Sequence, residues 1–297
     1  MSGAESFFDT SVLLYLLSSD GHKADRVEEL LAATDKHSRE TFAKMQADDE
    51  SRLARELLPL ARAAKPKTEG GERIRGALQG WKGRMATGSP EALAFAAWYR
   101  ELTRLVYQDD IGELFTDGWD MRAQFMLSVL KDENGMGKWC DDVRTPAAEA
   151  CADMASRALD LAAADLVARY GDPAKWRWGA AHVAAGGHRP LGFFPGLGPF
   201  FNVEPESAGD TYTVNVGHYS IRNSERPYAN VHAPSLRAIY DFADLDQSVF
   251  MQSTGQSGNV ISPCYRNFAE RWAGVVYITI PTKREAIVGA RTLTLRP

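Results

Sequence analysis

A surplus of positive charge, a long apolar run and a generous set of cysteines are all missing from this sequence, and each absence narrows what the chain does. Lys and Arg total 34 against 39 Asp and Glu, a formal net charge of −5. A phosphate backbone therefore meets no basic excess, and nucleic acid is disfavoured as the main partner. A membrane-crossing helix needs about 20 consecutive apolar residues. The run Val12-Leu13-Leu14-Tyr15-Leu16-Leu17 is much shorter, and Asp9 precedes it where a secretory signal carries positive charge. The sequence is accordingly expected to hold neither an export signal nor a membrane anchor. Cysteine occurs only at 140, 151 and 264, which leaves the redox compartment open. The spacing of Cys140 and Cys151 suits a disulfide and suits two free thiols equally well. Internal repeats and low-complexity tracts are absent too.

What is present is enough chain for a large core: 297 residues of ordinary globular composition. Leu53, Leu57, Leu58, Leu60 and Ala61 share one helical face, and the stretch 65–71, with Pro66, Gly70 and Gly71, is expected to end that helix. Pro90 suits the first turn of another, whose Leu93, Phe95, Ala96, Trp98, Leu102, Leu105 and Val106 face a core. Thr145-Pro146 predicts the start of a helix over 146–170, closed by Tyr170-Gly171-Asp172-Pro173. Residues 193–201 read as a loop. Beyond them, 212–216, 238–242, 249–252, 275–280 and 292–295 carry the β-branched and aromatic bias of strands. Helices followed by strands predict an α+β fold.

Four groups of side chains invite chemistry. Gly255-Gln256-Ser257-Gly258 lies in a connection over 253–272 between strands, with a short helix expected near 265–272. Ser257 reads either as an exposed nucleophile or as part of a glycine turn. The Gly-x-Ser-x-Gly spacing and strand-turn-helix setting of a nucleophile elbow are absent, which favours the turn. His182 and His188 suggest a metal, but no Cys or carboxylate stands at a zinc-like interval, so a structural or substrate-side role is favoured. Asp9 follows a short apolar stretch, and one carboxylate neither neutralises nor fixes a divalent ion. Ser2 would become an N-terminal serine on removal of Met1.

The ordered series Gly209-Asp210-Thr211-Tyr212-Thr213-Val214-Asn215, Pro234-Ser235-Leu236-Arg237, Tyr240-Asp241, the Gly-Gln-Ser-Gly loop, Ser262-Pro263 and Trp272 resembles the C-terminal part of the β subunit of the penicillin acylase family, whose members are N-terminal-nucleophile hydrolases of αββα architecture. The resemblance extends over residues 26–297. It takes in Gln46-Ala47-Asp48-Asp49-Glu50-Ser51, Gly80-Trp81-Lys82-Gly83, Trp139-Cys140-Asp141-Asp142 and Trp176-Arg177-Trp178. Residues 1–25 instead resemble the beginning of a PIN nuclease domain, with Asp9 at the position of a metal ligand.

The resemblance implies an acyl-amide hydrolase chain and a covalent staple between Cys140 and Cys151. In that family an N-terminal serine attacks the amide, its own α-amine acts as base, and a backbone amide and an Asn side chain stabilise the oxyanion. No matching serine or oxyanion Asn is found among these residues, nor are most of the calcium ligands, so no catalytic, cofactor-binding or metal-binding residue is assigned and no cofactor is expected. The chain is expected to be a truncated, inactive β-subunit end, or a scaffold completed by a separate acylase chain that carries the nucleophile and acts on a small acyl amide. A PIN-type ribonuclease is the remaining alternative. The resemblance and the Cys140–Cys151 bridge it implies both point to export, against the missing signal, so localisation stays open.

Overall fold

A computed structural model describes residues 7–8, 21–287 and 294. In chain order the elements used below are β1 (Phe7–Phe8), α1 (Gly21–Ala32), α2 (Arg39–Gln46), α3 (Arg52–Ala63), α4 (Glu69–Leu78), α5 (Pro90–Gln108), α6 (Ala123–Leu130), α7 (Cys151–Tyr170), β2 (His218–Tyr219), β3 (Asn230–His232), β4 (Leu236–Asp241), β5 (Val249–Gln252), α8 (Ala269–Ala273) and β6 (Ile278–Thr279). Mixed helices and small antiparallel sheets make this an α+β fold. The chain divides into two compact units, one of Met1–Ala47 with Pro234–Pro297 and one of Asp48–Ala233.

The unit over 48–233 is helical because its apolar residues recur at helical spacing between strong caps. Ser51 accepts the Ala54 amide, Thr68 the Gly71 amide and Ser89 the Ala92 amide, each satisfying one orphan donor at a helix start. Leu53, Leu57, Leu58 and Ala61 of α3 are all buried. They join Ile74 and Leu78 of α4, Leu93, Phe95, Trp98 and Leu102 of α5, and Ala155, Ala158, Leu159 and Ala162 of α7 in one core. Small alanines along α7 let α5 approach closely, and the Trp98 indole donates to Ala155 O at 3.0 Å, so the largest side chain of α5 is packed and satisfied together.

The other unit holds a four-stranded antiparallel sheet in the order β1, β4, β5, β6. In β4 and β5 burial alternates, and Ile239, Val249 and Met251 are buried. Phe42 and Met45 of α2 cluster with Ile239 and Val249, with Leu30, Leu31 and Tyr277 packed around them. Ser38 caps α2 in a reciprocal box with Thr41. Arg237 is buried on β4, donates to Gln46 O at 3.3 Å and stacks over Trp272 of α8.

Several expected boundaries move, each for a local reason. The 212–216 stretch is a turn, because Asp210 Oδ1 accepts the Tyr212 amide at 2.7 Å and Thr213 Oγ1 accepts the Asp210 amide. Those side chains offer the backbone a competing partner to a strand ladder. Helix α7 begins at Cys151, five residues later than Thr145-Pro146 suggests. Asp141 and Glu149 hold the intervening loop instead by accepting the Glu149 and Asp142 amides. Gly70 and Gly71 do not end a helix; they lie in the first turn of α4, pressed so closely on α7 that a Cβ at Gly71 would stand 2.3 Å from Asp160 Oδ1. Within 193–201 a short helix forms at Gly198–Phe201. The expected 275–280 strand contracts to β6, the short helix near 265–272 is α8, and 292–295 lies outside the described residues except Thr294, which is in no element.

Candidate functional site

A buried polar group surrounds His182. A four-residue helical turn, Trp178–Ala181, delivers it: the His182 amide donates to Trp178 O at 2.8 Å, and the two rings stack with centroids 4.3 Å apart. His182 Nδ1 lies 2.6 Å from Tyr228 O, an atom that only accepts, so Nδ1 carries the proton and Nε2 keeps a lone pair. Among the described residues Nε2 has no partner, nor has the Oδ1 of nearby Asn230. Complete burial lowers the imidazole pKa to about 3, outweighing the Tyr228 hydrogen bond, which acts in the opposite direction.

This arrangement resembles a nucleophile and base only at first sight. Ser207 Oγ donates to the backbone oxygen of His182 at 2.7 Å, not to its ring, and accepts from Asn230 Nδ2 at 3.1 Å. Gly217 closes the remaining side, since a Cβ there would lie 2.4 Å from His182 Nε2. A substrate has no room to reach the ring, and the neutral imidazole acts as a packing and hydrogen-bonding element. Sequence reading singled out His182 and missed Ser207, Tyr228 and Asn230; Ser207 had the advance signal of standing two residues before the Gly-Asp-Thr-Tyr-Thr motif, and the other two had none.

Three distant motif segments meet beside this core. Met85 N donates to Asp49 O at 2.8 Å, Gly209 N to Met85 O at 2.8 Å, and Asn215 N to Asp48 O at 2.9 Å. Buried Asp49 takes the Arg84 Nε at 2.7 Å, and Trp178 Nε1 donates to Gly209 O at 2.9 Å. The Asp48-Asp49-Glu50-Ser51, Gly83-Arg84 and Gly209-to-Asn215 motifs are thereby one structural knot.

Cys140 and Cys151 form a disulfide across a separation of 11 residues. Beside it, Arg144 Nε and Nη2 contact Asp142 at 2.7 and 2.8 Å, and the guanidinium holds the Asp142 carboxyl down to about 2. Cys264 is free and exposed.

In the unit with the sheet, Ser257 sits in a turn. Its Oγ accepts the Asn259 amide at 3.1 Å and its own amide donates to Cys264 O at 3.2 Å; among the described residues no His, Lys or carboxylate bonds to that oxygen. Gly255 approaches the far side of the loop so closely that a Cβ would stand 1.9 Å from Cys264 O, a contact open to glycine alone. His188 packs against Phe201 and does not meet His182 in a ligand cluster; no group of His, Cys, Asp or Glu among the described residues has a metal-binding arrangement. Asp9 and Ser2 lie outside the described residues. Two clefts flank Asp160: one of about 440 Å³ includes Lys65, Lys67, Arg157, Glu149 and Asp153, and one of about 560 Å³ is walled by Ala163, Ala164, Val167 and Trp176. Asp160 itself is spent on the Thr68 hydroxyl and on the Lys67 and Thr68 amides.

Residues 7–289 match the family model for penicillin amidase. The chain belongs to the penicillin amidase family. Among curated relatives, the acyl-homoserine lactone acylase QuiP of Pseudomonas aeruginosa is 26% identical over 318 residues, covering 93% of this chain and 36% of the relative. The QuiP proteins of two Pseudomonas syringae pathovars are each 27% identical, again across 93% of this chain and 36% of their own length. The chain thus spans about a third of the curated relatives it matches. Among solved structures, a thermostable penicillin G acylase from Alcaligenes faecalis superposes with a TM-score of 0.48 at 16% identity, covering 92% of this chain and 52% of that one. The family match begins at residue 7 and so takes in most of the segment that resembles a PIN domain.

Proposed function

We propose that this penicillin amidase family chain serves the hydrolysis of an acyl amide by framing the reaction site, and that the serine nucleophile comes from acylase sequence outside the match. The supporting observation is the family match over residues 7–289, set beside a match to only 36% of the acyl-homoserine lactone acylases. The side chains that read as candidate chemistry are engaged in holding the fold: His182 in the core, Ser257 in a turn. The names of those relatives support, as the substrate class, an N-acyl-homoserine lactone, whose amide C–N bond is cleaved by water to a carboxylic acid and a free amine. In this reading the chain needs no cofactor of its own.

Co-producing this chain with the portion of the P. aeruginosa acylase outside the match tests the proposal. Release of homoserine lactone is expected from the pair and from neither polypeptide alone. Turnover by this chain alone that disappears when one of its own residues is changed overturns it. No turnover in any combination leaves an inactive acylase-family chain.

A further inference from the structure

Residues 190–203, Pro-Leu-Gly-Phe-Phe-Pro-Gly-Leu-Gly-Pro-Phe-Phe-Asn-Val, contain no Asp, Glu, Lys or Arg. In the structure Phe193 is 71% exposed, Phe194 55% and Leu197 37%. A surface loop is ordinarily polar, and several large apolar side chains gathered on one connection mark a surface that something else covers.

The loop is a built object. Gly192 N donates to His188 O at 2.9 Å, Phe193 N to Pro190 O at 3.2 Å, Phe194 N to Leu191 O at 3.3 Å and Leu197 N to Phe194 O at 3.0 Å. Asn202 fastens its base: Oδ1 accepts the His188 amide at 3.0 Å and its own amide donates to Gly198 O at 2.8 Å. Val203 N then bonds to Gly186 O at 3.0 Å. These bonds set the course of the loop's backbone before any encounter, which reduces the ordering cost of association. Aromatic side chains presented on such a backbone are the kind an interface buries at its centre.

We propose that Phe193, Phe194 and Leu197 are the seat on which the remaining acylase sequence, the portion outside the match, packs. This rests on the function proposed above and locates its partner. That occupant is favoured because the matched relatives carry about two thirds of their length beyond this chain's span. An anionic lipid surface is disfavoured by the absence of Lys and Arg from the loop and by the net charge of −5.

The test uses the full chain and, as partner, the unmatched portion of the P. aeruginosa acylase. Binding is measured for the wild type, for Phe193→Ser combined with Phe194→Ser, and for a control, Val143→Ser, at an exposed apolar residue elsewhere in the same unit. An unchanged thermal melt of the double variant establishes that its fold is kept. The expected result is affinity at least tenfold weaker for the double variant and unaltered for the control. Equal binding by all three overturns the assignment of the surface and leaves the proposed function standing. No binding even by the wild type overturns both. A dimer of this chain that the double variant abolishes, with partner binding unaffected, assigns the surface to a second copy and overturns the proposal as well.

Discussion

At the scale of the residue, His182 links packing to pH. Its imidazole titrates near 6.5 when unfolded and near 3 in the core, so between those values the unfolded chain binds the extra proton. Stability from this group is complete above pH 6.5 and declines as pH falls toward 3, by several kcal/mol in order of magnitude. Thermal melts between pH 7 and pH 4 are expected to show a falling midpoint whose slope lessens in His182→Gln, which has no proton to gain; equal slopes would remove His182 as the cause. Trp98 gives a second check. Fully buried and bonded to Ala155 O, its replacement by Ala is expected to cost about 3–5 kcal/mol by denaturant titration. The importance of both residues was only half legible in sequence. Trp98 stands in an evident helical stripe, whereas His182 gave no sign of its burial, because the atoms that enclose it come from Gly217, Tyr228 and Asn230, 35 to 48 positions along the chain.

Among elements, legibility followed how local the cause was. Helix α5 could be read in advance because Ser89, Pro90 and the apolar stripe are contiguous; Ser89→Ala is expected to destabilise by about 1 kcal/mol. The turn at 212–216 could not, because Asp210 and Thr213 redirect the backbone through side-chain bonds that β propensity ignores. The loop from Cys140 to Cys151 shows the same contest, with carboxylates delaying α7 until Cys151. The disulfide at its ends restricts the unfolded chain, and Cys140→Ser with Cys151→Ser is expected to lose about 2–3 kcal/mol. Thiol titration of the denatured, unreduced protein should find one thiol, that of Cys264; three would show the bridge unformed.

For the whole molecule, the two units differ in how the chain must be complete to make them. The unit over 48–233 is one continuous stretch, whereas the sheet pairs Phe7 with Asp241 and Phe8 with Tyr240. Pairing across so long a sequence separation is slow to form and cannot begin until β4 exists. A polypeptide limited to 48–233 is therefore expected to keep its helical circular dichroism, its bridge and a cooperative melt; a broad, uncooperative transition would count against this. The family could be recognised from motif order alone, because those motifs converge in the knot of 48–51, 83–85 and 209–215 and in the Gly255 loop. Which residues act in acyl-amide cleavage could not be read in the same way, because the chain spans about a third of the curated relatives it matches.

That knot also predicts how the protein tolerates a cut. Proteolysis at Gly196, on the exposed loop, would separate Asp48 and Met85 from Gly209 and Asn215 along the chain while leaving the amide-to-carbonyl links between them untouched. The two fragments should travel together through a native column and part only in denaturant, so the integrity of the backbone and the persistence of the folded body are separate properties in this chain.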